Sequence, residues 1–166
     1  MMFKINFKTL LINLIIVIAI FLIDRISKIY IIEIAEIEGT VDIYINQYLN
    51  FFLIWNNGVA FGLLSFDERI AYNFITAIIV AVIFLILVMV YKSENRSVYF
   101  LLFILGGSLG NLFDRIYYSA VPDFIDLHYN SFHWFIFNVA DIFISIGVLC
   151  LILVEIIFNK KVKNEN

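Results

Sequence analysis

Apolar residues gather into four long runs separated by short polar stretches: Leu10–Ile32, Ile70–Val90, Val98–Phe113 with a polar continuation to residue 116, and Trp134–Phe158. A membrane-crossing helix needs about 20 mostly apolar residues, so each run predicts a span. The segment 33–69 behaves differently. Within it, TVDIYINQYLNFFLIW alternates apolar and polar positions, which is a strand signal, and the Asn57-Gly58 step that follows marks a turn. Strands near lipid must pair their backbone groups, so a small sheet on one membrane face is expected. The predicted fold class is an all-α membrane protein, with four transmembrane helices and a small extracytoplasmic β-sheet segment between helices 1 and 2. The whole chain is expected to form a single integral-membrane domain.

Composition strengthens this picture: 63% hydrophobic residues, 15% charged residues and a mean hydropathy of +0.99 exclude a water-soluble globule. The first run is too long for the apolar core of a signal peptide, carries Asp24, Arg25 and Lys28, and lacks a small-x-small cleavage site. It is expected to be a retained span. The single cysteine, Cys150, lies in an apolar run, which rules out an intramolecular disulfide and a cysteine metal site.

Charge sets the expected orientation. Lys4, Lys8, Lys92, Arg96, Lys160, Lys161 and Lys163 fall on one side of the four spans. Glu33, Glu36, Glu38, Asp42, Asp67 and Glu68 make the first opposite segment acidic, with Arg69 its clearest base. Basic residues concentrate on the cytoplasmic side, so both termini are expected there. Trp55, Phe61 and Phe66 suit the opposite interfacial zone. No nucleic-acid partner is expected.

Ionisable and amide side chains inside spans are costly and call for a specific reason. Asp24 and Lys28 stand at i, i+4 on one face of span one, consistent with an internal salt bridge and snorkelling of Lys28 toward headgroups. In span three, GGSLGNLFDR places Gly106 and Gly110 at the spacing that lets another helix approach closely. Asn111 and Asp114 follow at i, i+3, with Arg115 at i+4 from Asn111. In span four, FNVAD repeats the amide–acid pair as Asn138 and Asp141. Counted from Trp134, Asp141 lies about 10 Å along the helix. Asp24, Asn111 and Asp141 are therefore expected in one polar layer near the outer leaflet.

Between spans three and four, VPDFID holds the only proline, Pro122, directly before Asp123. Proline fixes φ, so a stiff turn should present Asp123 to Asp141, with Phe124 and Ile125 anchored in the apolar layer and Asp126 facing water. His128 and His133 follow without any HExxH-like spacing, and no metal is expected. Two carboxyl groups held close tend to share a proton. One then activates water against a peptide carbonyl while the other hydrogen-bonds the developing oxyanion or supplies a proton to the leaving amine. Two other function classes compete. A proton or ion pathway would also bury acids, but here the cytoplasmic halves of the spans are almost wholly apolar. A non-catalytic assembly protein would use only the glycine face and the sheet.

DRISK, WNNGVAFG, GGSLGNLFDR, VPDFID and FNVAD, in this order across four spans, resemble the lipoprotein signal peptidase (signal peptidase II) family of bacterial aspartyl intramembrane proteases. The resemblance covers essentially the whole chain. It implies that Asp123 and Asp141 are the catalytic aspartates. It also implies that Asp24, Lys28, Asn56, Gly58, Asn111, Arg115 and Asn138 support the site or bind substrate. Asn56 and Gly58 match the family's N-x-G-x-A-F motif. The implied activity is an aspartic endopeptidase that cleaves a prolipoprotein before its diacylglyceryl-modified cysteine. The implied setting is the bacterial cytoplasmic (inner) membrane, with membrane lipids around a monomer, inhibition by globomycin, and no cofactor. Two positions depart from the family pattern. Arg25 stands where glutamine is usual, and Pro122 where a β-branched residue is common.

Overall fold

The computed structural model describes residues 6–58, 68–93, 97–130 and 132–164. Residues 59–62 of the WNNGVAFG motif, Phe66, Asp67, Lys4 and Arg96 lie outside them. Four helices are long and apolar enough to cross a membrane: α1 (Phe7–Glu38), α2 (Glu68–Lys92), α3 (Val98–Tyr118) and α4 (Val139–Asn164). Between them lie β1 (Asp42–Asn46), β2 (Leu49–Asn56), β3 (Val121–Tyr129) and β4 (Phe132–Phe137). These strands form one antiparallel sheet in chain order.

α3 is the hub, packing against α1, α2 and α4. Its glycines make this possible. A Cβ on Gly107 would lie 2.5 Å from the Ala140 carbonyl oxygen, and one on Gly106 would lie 2.8 Å from Ile20 Cβ. Gly147 of α4 meets the Phe100 carbonyl oxygen of α3 in the same way. Close helix approach through small residues replaces the hydrophobic drive that lipid does not supply. Ile83, Ile86, Leu101, Ile104 and Leu105 fill the space between the helices, while many other apolar side chains of α1, α2 and α4, among them Ile15, Phe84 and Leu149, are exposed.

α1 runs to Glu38, beyond the expected boundary at residue 32. The reason is packing, because Ile31, Ile34 and Ala35 join a cluster with Val41, just before β1, and with Phe51 and Phe124 of the sheet, so the last turns have an apolar face to cover even outside lipid. Gly39, at φ 79°, then ends the helix by donating its N–H to the Ala35 carbonyl.

The expected hairpin before span two is present as β1 and β2, but the sheet is larger than foreseen. VPDFID is strand, not turn, and Trp134 lies in β4 rather than opening the fourth helix. Pro122 is compatible with β3 because its only strand neighbour there is Trp55 of β2, whereas β4 pairs from Ile125 onward. Asp126, expected to face water, is buried in this strand with its carboxylate against His133.

Candidate active site

Two very short junctions deliver the site: Ser119 and Ala120 between α3 and β3, and Asn138 alone between β4 and α4. Ser119 takes the left-handed conformation (φ 59°), which turns the chain from helix into strand. Asn138 and Asp141 form a reciprocal capping arrangement. The Asp141 N–H donates to Asn138 Oδ1 at 3.1 Å, and the Asn138 N–H donates to Asp141 Oδ2 at 3.1 Å. Such a box satisfies donors that a helix start otherwise leaves open. The i, i+3 spacing of FNVAD is therefore first of all a helix signal.

Asn138 does more than cap. Its Nδ2 donates to Asp123 Oδ1 at 2.6 Å, so one fully buried residue bonds both carboxylates, Asp123 through its side-chain amide and Asp141 through its backbone N–H. Asn56, at the end of β2, donates from Nδ2 to the other oxygen of Asp123 at 2.9 Å. The orientation of Asn56 is itself fixed, because its Oδ1 accepts the Gly58 N–H at 2.7 Å. Gly58 has φ 76°, a conformation that favours glycine, and a Cβ there would meet the guanidinium of Arg115. Asn111 supplies the last bond, donating from Nδ2 to Asp141 Oδ1 at 2.8 Å.

Behind this pair lies a buried group of four charges. Lys28 uses all three ammonium hydrogens, on Asp24 Oδ2 (2.9 Å), Asp114 Oδ2 (2.6 Å) and Asn111 Oδ1 (2.9 Å). Arg25 Nη2 lies 2.6 Å from Asp114 Oδ1, an ion pair rather than an aligned hydrogen bond, and its guanidinium covers the Phe113 ring. Two acids and two bases leave this group neutral, as a buried cluster requires. Lys28 is fully buried, so the expected salt bridge is present but the snorkelling is not. Arg25 replaces glutamine without leaving an unbalanced charge, since Asp114 receives it. Asp24 also accepts the Ala140 N–H at 2.9 Å, tying the start of α4 to α1. Gly110 makes room for it, since a Cβ there would lie 2.5 Å from Asp24 Oδ2.

The structure thus joins eight of the nine residues singled out from sequence into one continuous polar chain: Asp24, Lys28, Asn111, Asp141, Asn138, Asp123, Asn56 and Gly58. Arg115 stands beside Gly58, with its guanidinium over Tyr72 and its carbonyl accepting the Tyr72 hydroxyl. Asp114 is the member that sequence reasoning noted without assigning. Its signal was available, because Asn111, Asp114 and Arg115 share one helix turn and span one carries two bases against a single acid.

Burial pushes the Asp123 carboxyl from its ordinary 3.8 up to about 6. The Asn56 and Asn138 amides oppose that rise by bonding the charged form, whereas the charge of Asp141 adds to it.

Comparison with known proteins agrees with this architecture. The family model described as signal peptidase (SPase) II matches residues 16–158. A lipoprotein signal peptidase of Pelagibacter ubique (strain HTCC1062) is 56% identical over 162 residues, covering 98% of each chain. One from Aquifex aeolicus (strain VF5) is 39% identical over 160 residues, covering 95% of this chain and 93% of its own. A bacterial membrane enzyme solved by the in meso method at 1.9 Å resolution superposes with a TM-score of 0.68 at 27% identity, covering 86% of this chain and 90% of that one. With four helices able to span a membrane and a family match across most of its length, the chain belongs to the signal peptidase II family of membrane peptidases.

Proposed function

We propose that the chain is an aspartic endopeptidase that removes the signal peptide from prolipoproteins by cutting before the diacylglyceryl-modified cysteine, with Asp123 and Asp141 as the reacting pair. The observation that carries this reading is that Asn138 bonds both carboxylates, Asp123 through its side-chain amide and Asp141 through its backbone N–H. Two carboxyl groups held close tend to share a proton. The ionised member takes a proton from water as it attacks the scissile carbonyl. The protonated member hydrogen-bonds the growing oxyanion and then gives its proton to the leaving amine. Asn56, Asn111 and Asn138 hold the carboxyl oxygens in place, and the neutral group around Lys28 holds Asn111.

The substrate class follows from where the pair sits. Acyl chains fix a lipid-modified cysteine at the leaflet boundary. The sheet beside the pair exposes Tyr48, Tyr129, Phe132 and Trp134, residue types that favour the headgroup zone. With the basic segments cytoplasmic, this zone belongs to the outer leaflet of the bacterial cytoplasmic membrane, and the whole chain acts there as one catalytic domain.

The test is an in-vitro assay with purified protein and two forms of one precursor, diacylated and unmodified, each with and without globomycin. Cleavage of the diacylated form alone, blocked by globomycin, is expected. Equal cleavage of both forms would remove the lipid from the specificity. A second expected result concerns pH. Because kcat/KM reports the free enzyme, it should fall as Asp123 loses its proton above about pH 6. The Asn56 amide bonds the ionised form and holds that value down, so Asn56→Ala should move the alkaline limb to higher pH. A limb unmoved, or moved toward acid, would contradict the role of Asn56.

A further inference from the structure

Asp126, His128 and His133 lie on the same sheet, outside the polar chain that joins Asp123 to Lys28. Asp126 and His128 are two residues apart on β3 and so face the same way, and His133 on β4 is the direct cross-strand partner of His128. Asp126 Oδ2 lies 2.9 Å from His133 Nδ1 and 3.6 Å from His128 Nδ1, with Oδ1 3.1 Å from His133 Nδ1. One donor atom from each of the three falls within 4.8 Å of the others. Metal bonds of about 2.0–2.1 Å set tetrahedral donors about 3.3 Å apart, and the two Asp126 Oδ2 distances straddle that spacing.

A second observation points to a missing positive centre. Among the described residues, His128 Nδ1 and Asn50 Oδ1 are buried without a hydrogen bond. Asn50 is the β2 partner of Asp126 and therefore projects from the same face. Buried polar atoms are nearly always paired. A cation between them would be met by the carboxylate and both imidazoles, with the Asn50 amide on the same face of the sheet.

We propose that Asp126, His128 and His133 form a binding site for a divalent ion of the zinc class, with Asn50 beside it and a remaining position for water. Two imidazole nitrogens and one carboxylate suit zinc and disfavour magnesium or calcium. Asp126 is buried, but the His133 side chain is 57% exposed, which gives the ion a route from solvent. The ligands escape sequence inspection because they come from strand register and a hairpin, not from a helical repeat. Asp126 is three residues from Asp123 on β3, so the ion would brace the strand that carries the reacting carboxyl and would not itself meet the scissile bond.

Untagged full-length protein in detergent micelles, titrated with Co²⁺ as an optical probe and then with Zn²⁺, tests the site. One ion per chain is expected, with Co²⁺ d–d bands of a low-coordinate nitrogen–oxygen site that Zn²⁺ abolishes, and a higher Tm in the presence of Zn²⁺. His133→Ala changes an exposed side chain and leaves the fold intact, which circular dichroism verifies. It should weaken binding beyond the about 10–100-fold loss that follows removal of an outer-shell partner, and it should erase the Tm shift. His128→Ala should do the same. Wild-type protein that takes up neither ion, or His133→Ala protein that binds as wild type does, overturns the site. Neither result touches the peptidase reading, because Asp123 and Asp141 remain in place.

Discussion

Asp141→Asn and Asp123→Asn should each lower turnover of a diacylated precursor by at least about 10³-fold, since general acid–base catalysis alone contributes about 10²–10⁴. An amide can neither take the proton from water nor share one with its neighbour. The substitution also creates a local conflict that geometry defines. Asn111 Oδ1 is held by Lys28, so its Nδ2 must keep facing residue 141. At residue 123 both oxygens face amide donors whose own oxygens are committed, Asn56 to Gly58 and Asn138 to Asp141. A new NH₂ at either position therefore meets a donor. Each mismatch costs about 1–3 kcal/mol, enough to lower stability without preventing folding. Turnover is measured on protein that retains its thermal transition, and a wild-type rate in either variant ends the assignment of the pair.

Lys28→Met should have the largest effect on stability. The ammonium neutralises Asp24 and Asp114 in a place where all three side chains are fully buried. Without it, two carboxylates share the single charge of Arg25. Breaking a buried pair by removing one partner costs about 3–5 kcal/mol. Activity should fall too, because Asn111 loses the bond that fixes its orientation toward Asp141. Thermal unfolding in detergent reads the first effect and precursor cleavage the second. A transition within about 2 °C of wild type together with full turnover would show that the charge group is dispensable.

What could be read from the chain divides along physical lines. Long apolar runs report spans because lipid imposes both length and composition, and the first hairpin showed itself by period-2 alternation. The second hairpin did not. In VPDFIDLHY, Pro122 and Asp123 read as a turn directed at Asp141, and Asp126 reads as exposed. All three are buried, because the strand is covered by β2 on one edge and by helix ends and β4 on the other. Register, which sequence does not display, converts these polar residues into a buried network. The site residues were legible for a different reason. Asp24, Asn111 and Asp141 sit among apolar residues along the chain, where a polar side chain needs a partner, although the depth counted for Asp141 from Trp134 does not hold, since α4 begins at Val139 and Asp141 lies in its first turn. Asp114 was visible in the same turn as Asn111, but its partner Arg25 could be recognised only once α1 and α3 were seen in contact.

The one-residue junction at Asn138 also governs how the molecule can move. β3 leaves α3 after two residues and β4 enters α4 after one, so this half of the sheet is bolted to the bundle at both ends. Lifting it would pull Asn138 out of the helix start and separate the two carboxylates in the same motion. β1 and β2 hang differently, reached from α1 through residues 39–41 and leaving toward α2 through residues 57–67. Kinematically, β3 and β4 are the chassis. The bond from Asn56 to Asp123 is what ties the end of β2 to that chassis.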